Sequence, residues 1–188
     1  MSKFLDKVQP KNKKQLKQLI EYAFNHNIYD LNFIDTSKIT DMSWLFEYIS
    51  CNFDISNWDV SNVKDMTSMF YFCKNFDCDL SNWDVLNVTT TFCMFVGCDN
   101  FNCDLSYWDV SNVTDMDNMF VNCKNFNCDL SYWDVSNVTD MDNMFDGCKK
   151  FNCDLSDWDI SNITRWKNTF AGCDKMTIPN WYKLYHKK

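Results

Sequence analysis

This 188-residue sequence contains little glycine and little proline, with only 3 Gly and 2 Pro. That composition excludes flexible Gly- or Pro-rich linkers. The apolar runs are far shorter than the roughly 20 residues that a membrane-spanning helix needs. The first residues also lack the apolar stretch and small-residue cleavage site of a secretory signal. We therefore expect a chain that does not span a membrane and is not exported by the general route.

Residues suited to catalysis or to cofactor binding are also scarce. The two histidines, His26 and His186, stand near the ends of the chain, and Gly97, Gly147 and Gly172 form no phosphate-binding loop. The cysteines are accompanied by no Cys-x-x-Cys motif, which argues against a zinc site. The sequence therefore predicts no enzyme, no catalytic residues, no metal site and no cofactor.

Negative charge is concentrated in the middle of the chain. Residues 51–174 contain 20 Asp and 7 Lys or Arg, a net charge of −13, whereas the two flanks together carry +5. An acidic surface repels phosphate, so nucleic acid is a poor candidate for a partner. A protein with a basic surface matches this charge better.

One pattern, repeated every 25 residues, accounts for most of the sequence. The repeated tryptophans are Trp58, Trp83, Trp108, Trp133 and Trp158. The repeated phenylalanines are Phe70, Phe95, Phe120, Phe145 and Phe170. A strict period of this length is typical of repeat proteins, in which each repeat buries its apolar face against its neighbours. Both sets are therefore predicted to form the core.

The spacing within one repeat indicates its local structure. Trp108 and Val110 alternate with a polar residue, which is the spacing of a strand. Met116, Met119 and Phe120 follow the i, i+3, i+4 spacing of a helix. Stacked repeats of this kind predict a parallel sheet on one face and short helical segments on the other.

The order Trp-Asp-Val-Ser-Asn-Val-Thr-Asp-Met, followed by Met-Phe, Cys and Phe-Asn-x-Asp-Leu-Ser, resembles a known repeat. It is similar to the 25-residue repeat of the BspA-like leucine-rich-repeat surface proteins, a repeat also found in Mycoplasma-type surface lipoproteins. The resemblance covers roughly residues 30–175. It implies a leucine-rich-repeat-like α/β solenoid that is used for adhesion or for protein interaction.

Three parts are predicted along the chain. Residues 1–29 form a helical N-terminal cap, residues 30–175 form about six repeats, and residues 176–188 form a C-terminal cap. The cap helix is predicted because Leu16 and Ile20 belong to an apolar face in residues 10–25, with lysines elsewhere. A basic helix that lies on a membrane surface is the competing interpretation.

An aspartate follows each tryptophan of the repeat, on the face predicted to be exposed. These residues are Asp59, Asp84, Asp109, Asp134 and Asp159. Like charges about 5 Å apart repel by roughly 1 kcal/mol in water, so hydrogen bonds to turn amides or a cation such as Ca²⁺ must offset the repulsion. The absence of a Gly-rich calcium-binding nonapeptide favours the hydrogen bonds. We predict that this set binds a basic protein partner.

The eleven cysteines include two sets with the same period. One set, which contains Cys123, follows the apolar pattern and is predicted to be buried. The other set is Cys78, Cys103, Cys128 and Cys153. Reduced thiols are expected without export, whereas an oxidising destination would permit cross-links between neighbouring repeats.

These features predict a non-catalytic protein–protein interaction module with an acidic repetitive surface. The alternatives are a structural component of a larger particle, such as the virion of a large DNA virus, or a surface adhesin. Self-association is expected for the structural alternative. The missing signal places the chain in the cytoplasm or in a virion, and surface exposure rests on the resemblance alone.

Overall fold

The computed structural model describes residues 7–185 as a stack of 25-residue turns of chain with two helices. Helix α1 spans Lys13–Asn25 and helix α2 spans Asn180–Tyr185. Residues 1–6 of the predicted N-terminal cap, and 186–188 of the predicted C-terminal cap with His186, lie outside the described residues. We call one 25-residue turn of the stack a coil, and the equivalent residues of successive coils a column.

The predicted leucine-rich-repeat-like solenoid, with a parallel sheet, short helical segments and a helical N-terminal cap, is wrong. Within residues 7–185 no strand is longer than a single bridge residue, and seven isolated parallel bridges take the place of a sheet. In that part of the chain α1 and α2 are the only helices, and both lie outside the coils. The coils are therefore built from turns.

One segment of each coil links it to the next coil. Met66 N–H donates to the carbonyl oxygen of Thr90 in the next coil at 3.2 Å, and the N–H groups at positions 68, 70 and 72 donate forward in the same way. The intervening Met69 N–H donates to the carbonyl oxygen of Met66 in its own coil at 3.1 Å. We call this segment the turn ladder. It comprises residues 40–48, 64–72, 89–97, 114–122, 139–147 and 164–172.

Left-handed backbone conformations prevent the turn ladder from forming the predicted helix. Asn118 and Asn122 both have a φ of 59°, whereas an α-helix requires a negative φ at every residue. Overlapping turns bring residues three positions apart to the same side, as a helix does. The spacing of Met116, Met119 and Phe120 therefore reflects these turns, and their side chains are buried in the core.

The predicted strand at Trp108 and Val110 is replaced by two consecutive turns. Trp108 N–H donates to the carbonyl oxygen of Leu105 at 3.1 Å, and Val113 N–H donates to that of Val110 at 2.9 Å. These backbone bonds stay within one coil, so they cannot form a sheet. All four side chains are nevertheless buried, because each turn presents its two apolar residues to the same interior.

Aromatic rings fill the interior along the stack. Within one coil the ring centroids of Phe70 and Phe76 lie 4.2 Å apart, and Phe70 stacks on Phe95 of the next coil at 5.3 Å. The repeated tryptophans and phenylalanines are at most 5% exposed. Burial of this apolar surface, at roughly 25 cal/mol per Å², is the main stabilising contribution of the stack.

The two helices contact this core at its ends. Helix α1 begins after Asn12, whose side-chain oxygen accepts the N–H of Gln15 at 3.0 Å, a standard N-cap. Its buried residues, which include Leu16 and Ile20, belong to the same apolar cluster as the coils. Tyr182 belongs to helix α2, and its ring lies 5.0 Å from that of Phe170 in the last coil.

Candidate functional site

Two columns of exposed aspartates begin the two turns described for each coil. Asp109 Oδ1 accepts the N–H of Ser111 at 3.1 Å and its hydroxyl at 2.6 Å. Asp104 Oδ1 accepts the N–H of Ser106 at 2.9 Å. These are Asx turns, and the same amide bond recurs throughout both columns. Hydrogen bonds to turn amides thus hold the carboxylates that the sequence places close together.

The residues predicted to bind a partner form the second of these columns, which we call the Asp109 column. All five are exposed: Asp59, Asp84, Asp109, Asp134 and Asp159. The hydroxyl and amide of Ser136 lower the pKa of Asp134, and the amide and hydroxyl of Ser161 lower the pKa of Asp159. Those two carboxylates are therefore charged at neutral pH, while the role of the column in binding stays a prediction.

The first column, which we call the Asp104 column, is joined to a column of cysteines. It contains Asp54, Asp79, Asp104, Asp129 and Asp154. Cys103 Sγ accepts the N–H of Leu80 at 3.0 Å and donates to Asp79 Oδ1 at 3.7 Å, so one thiol links two coils. The other members of the predicted cysteine set, Cys78, Cys128 and Cys153, repeat both bonds.

The cysteines are held as neutral thiols. Burial raises the pKa of Cys103 to about 12 and that of Cys128 to about 11. In the other set, Cys123 is fully buried and its thiol donates to the carbonyl oxygen of Phe95 at 2.9 Å. All eleven cysteines lie within residues 7–185 and are free thiols in the structure.

Asn-x-Thr motifs form a further column of side chains that link coils. Asn112 Nδ2 donates to the carbonyl oxygen of Leu86 at 2.8 Å, and Asn137 Nδ2 donates to that of Ser111 at 2.8 Å. The side-chain nitrogen that a glycan would need is therefore engaged in the structure. This arrangement explains the 25-residue period of the motif without a modification.

An open groove follows the Asp104 column along the stack. Three adjoining depressions of about 440, 550 and 490 Å³ share lining residues and reach from Tyr29 to Tyr132. Asp104, Cys103 and Tyr107 line both of the larger two. Tyr107 and Tyr132 were not singled out in the sequence, yet they are 84% and 87% exposed. The sequence does mark these two residues, because tyrosine replaces the asparagine that the same column holds in the two preceding coils.

A second acidic group lies on the turn ladder. Arg165 Nη1 contacts Asp140 Oδ2 at 2.6 Å, and its Nη2 contacts Asp142 Oδ2 at 2.7 Å. Burial and the neighbouring carboxylates raise the pKa of Asp117 to about 6, and burial raises the pKa of Asp115. The sequence offered no partner for Arg165, because these carboxylates come from the preceding coil.

Exposed aromatic residues cluster at the amino-terminal end of the same ladder. The ring centroids of Trp44 and Tyr71 lie 5.8 Å apart, and those of Tyr48 and Phe72 lie 5.9 Å apart. Trp44, Tyr48 and Phe72 are exposed. The sequence analysis missed this cluster because the rings come from different coils.

Within residues 7–185, no group of three or more His, Cys, Asp or Glu is arranged to hold a metal ion. No helix in that part of the chain is long and apolar enough to cross a membrane. What the site presents is a regular surface of carboxylates, amides and exposed tyrosines. Such a surface can attract and orient a positively charged ligand.

Comparison with known proteins identifies the repeat. A family model described as "Mycoplasma protein of unknown function, DUF285" matches residues 14–120 and 96–183. No curated protein and no solved structure matches the chain. The match supports the predicted relation to Mycoplasma-type repeat proteins, but it does not show membership of the BspA-like surface proteins. Because the matched segments cover most of its length, the chain belongs to the DUF285 family.

Proposed function

We propose that this protein is a non-catalytic binding module that holds a basic segment of another protein against its acidic coil surface. The observation that carries the proposal is that the two exposed aspartate columns form no ion pair with any other part of residues 7–185. Every ion pair within residues 7–185 uses other carboxylates, those of Asp41, Asp99, Asp140 and Asp142. The charge of the two columns is thus left available for a partner.

The fixed geometry of the columns also supports binding. Each carboxylate is held by a turn amide, and neighbouring coils are held by backbone, thiol and asparagine bonds. Charged groups that are already ordered lose little conformational entropy when a ligand arrives. A repetitive, ordered acidic surface therefore suits recognition of a basic segment.

The chemistry of the site favours binding over catalysis. The strongest nucleophiles of the coils are cysteines, and burial raises the pKa of Cys103 to about 12. An activated cysteine would need a lowered pKa, because the thiolate is the reactive form. The aspartates repeat as columns in equivalent surroundings, whereas catalysis by paired carboxylates requires two carboxyl groups whose surroundings differ.

Fluorescence anisotropy with a labelled oligolysine peptide tests the proposal. We expect saturable binding that weakens as salt is raised, and no binding of a matched oligoglutamate peptide. Replacing Asp104, Asp109, Asp129 and Asp134 with Asn should weaken binding at least about tenfold, given the charge removed. Lys149→Gln/Lys150→Gln, which removes charge of the opposite sign, should not weaken it.

Two results would overturn the proposal. The first is a binding constant that the four Asp→Asn changes leave unaltered. The second is sedimentation velocity showing that the chain forms large assemblies through the acidic columns, since a structural component would then explain them better.

A further inference from the structure

The groove has an ordered floor and a charged wall. The floor contains Cys103 and Cys128, whose thiols are held between coils by hydrogen bonds. The wall contains Asp104 and Asp129, and in each case the amide and hydroxyl of the serine two residues later lower the pKa of the carboxyl. Both carboxylates are therefore ionised at neutral pH, and their positions are fixed.

Two tyrosines stand at the edge of this groove in adjacent coils. Tyr107 and Tyr132 line the depression that also contains Asp104 and Asp129. At 84% and 87% exposed, they are the most exposed of the large apolar side chains among residues 7–184. Neither ring contacts another aromatic ring in that part of the chain. Tyrosine is enriched where proteins bind partners, and these two exposed rings are not packed in the core of the coils.

We propose that this groove is the binding site for an extended peptide segment rich in lysine or arginine. The inference rests on the proposed function and names the surface and the ligand that the function uses. Ammonium or guanidinium groups of the peptide would pair with Asp104 and Asp129. The aliphatic parts of the same side chains would lie on the rings of Tyr107 and Tyr132, where cation–π attraction adds to the contact.

The repeat of the groove favours a particular peptide conformation. Phe76, Phe101 and Phe126 each stand two residues before a groove cysteine, and their ring centroids are 5.9 and 6.0 Å apart in adjacent coils. A fully extended segment rises about 3.3 Å per residue and presents every second residue on the same side, so two residues span about 6.6 Å. Basic residues at every second position would therefore meet the equivalent carboxylates of adjacent coils, Asp104 and Asp129. The carboxylates of the Asp109 column would add long-range attraction without contact.

Fluorescence anisotropy with a labelled peptide of alternating lysine and threonine tests this assignment. Tyr107→Asn/Tyr132→Asn gives both positions the residue that this column already holds at Asn57 and Asn82, so folding should be retained. We expect it to weaken binding at least about tenfold, as loss of two contact rings does. Asp104→Asn/Asp129→Asn keeps the Oδ1 acceptors and should weaken binding by a similar factor.

The matched control is Asp109→Asn/Asp134→Asn, which removes the same charge from the other column. It should weaken binding less than about threefold, because it alters attraction and not contact. A peptide of the same composition with its lysines clustered at one end should also bind more weakly. Circular dichroism of each variant checks that the fold is retained.

The outcomes separate this inference from the proposed function. Unchanged binding by folded Tyr107→Asn/Tyr132→Asn overturns the groove assignment. Loss of binding in Asp109→Asn/Asp134→Asn alone also overturns it, while leaving the proposed function in place with the Asp109 column as the contact. Absence of salt-dependent binding by either basic peptide overturns both.

Discussion

The indole Nε1 of Trp108 donates a hydrogen bond to the backbone carbonyl oxygen of Leu80 in the preceding coil, at 3.0 Å. Every repeated tryptophan forms this bond, and Trp181 in helix α2 donates to Leu155 in the same way at 2.8 Å. The tryptophan column therefore fills the core and also satisfies a row of buried carbonyl groups. Neither role alone accounts for the choice of tryptophan over another large apolar residue.

Replacing Trp108 with phenylalanine tests the contribution of the whole indole. The Trp108→Phe variant keeps an aromatic ring but leaves the Leu80 carbonyl oxygen without its donor and removes part of the buried ring volume. We expect a loss of about 2–4 kcal/mol in the free energy of unfolding, measured by urea denaturation. Tyr107→Phe, at the exposed neighbouring position, should change it by less than about 0.5 kcal/mol. Equal effects of the two changes would contradict a stabilising role for the indole.

The thiol of Cys103 should prove structural. Cys103→Ala leaves the N–H of Leu80 without an acceptor, so we expect the free energy of unfolding to fall by about 1–3 kcal/mol. Cys51→Ala is the control, because the half-buried Cys51 takes part in no hydrogen bond between coils in residues 7–185, and it should cost less than about 1 kcal/mol. Urea denaturation under reducing conditions measures both. A Cys103→Ala variant as stable as the native chain would show that the hydrogen bond between Leu80 and Cys103 does not stabilise the fold.

Gly147 occupies a position that a side chain would disturb. Its φ is 76°, and an added Cβ would lie 2.5 Å from Asn122 Oδ1. Gly147→Ala should therefore lower the free energy of unfolding by about 1–3 kcal/mol. Asn122→Gly/Gly147→Ala removes the clashing oxygen and should recover part of the loss in the same urea experiment. If the double variant is no more stable than Gly147→Ala, the clash is not the cause.

Asp117 should make stability depend on pH in a direction opposite to the turn aspartates. Its pKa in the folded chain, about 6, lies above the ordinary value of 3.8, so the folded state holds its proton more tightly than the unfolded state does. Asp117 therefore lowers stability as pH rises from about 3.8 to 6. After allowance for solvent screening, Asp117→Asn should be more stable than the native chain by about 1 kcal/mol above pH 7.

The extra stability of Asp117→Asn should disappear as the pH falls below the ordinary pKa of 3.8, because the carboxyl of Asp117 is then protonated in both the folded and the unfolded chain. Urea denaturation of both chains at several pH values measures the difference directly. Asp142→Asn is the matched control, because it removes a carboxylate that pairs with Arg165 and should not stabilise the chain. A constant difference across this pH range would show that the gain does not come from ionisation.

The sequence period and the backbone structure carry different information. A 25-residue period places tryptophan, phenylalanine, cysteine and aspartate in columns, and the structure has those columns. The secondary structure of the coil could not be predicted in this way, because overlapping turns and a helix give the same spacing at Met116, Met119 and Phe120. Positive φ values at Asn118 and Asn122 distinguish the two, and asparagine tolerates but does not require that conformation.

Prediction of the site was limited by the register between coils. The aspartates could be identified in the sequence, but their bonds to serine amides depend on turn geometry. Arg165 contacts Asp140 and Asp142, which lie 25 and 23 residues earlier, and only the stacking of coils makes them neighbours. Tyr107 and Tyr132 replace the asparagines of their column, and this change is visible in the sequence. The groove beside the two tyrosines is visible only in the structure.

The forward direction of the turn ladder gives the stack an electrical polarity. Four backbone N–H groups point to the next coil in each of the segments 64–72, 89–97, 114–122 and 139–147, whereas one, such as that of Thr114 to Thr89, points back. Each peptide unit has a dipole of about 3.5 D, so an excess in one direction adds up along the stack. The negative end then lies beside helix α1, where Lys13 contacts Asp41, and the positive end lies toward helix α2. Each additional coil would lengthen this dipole.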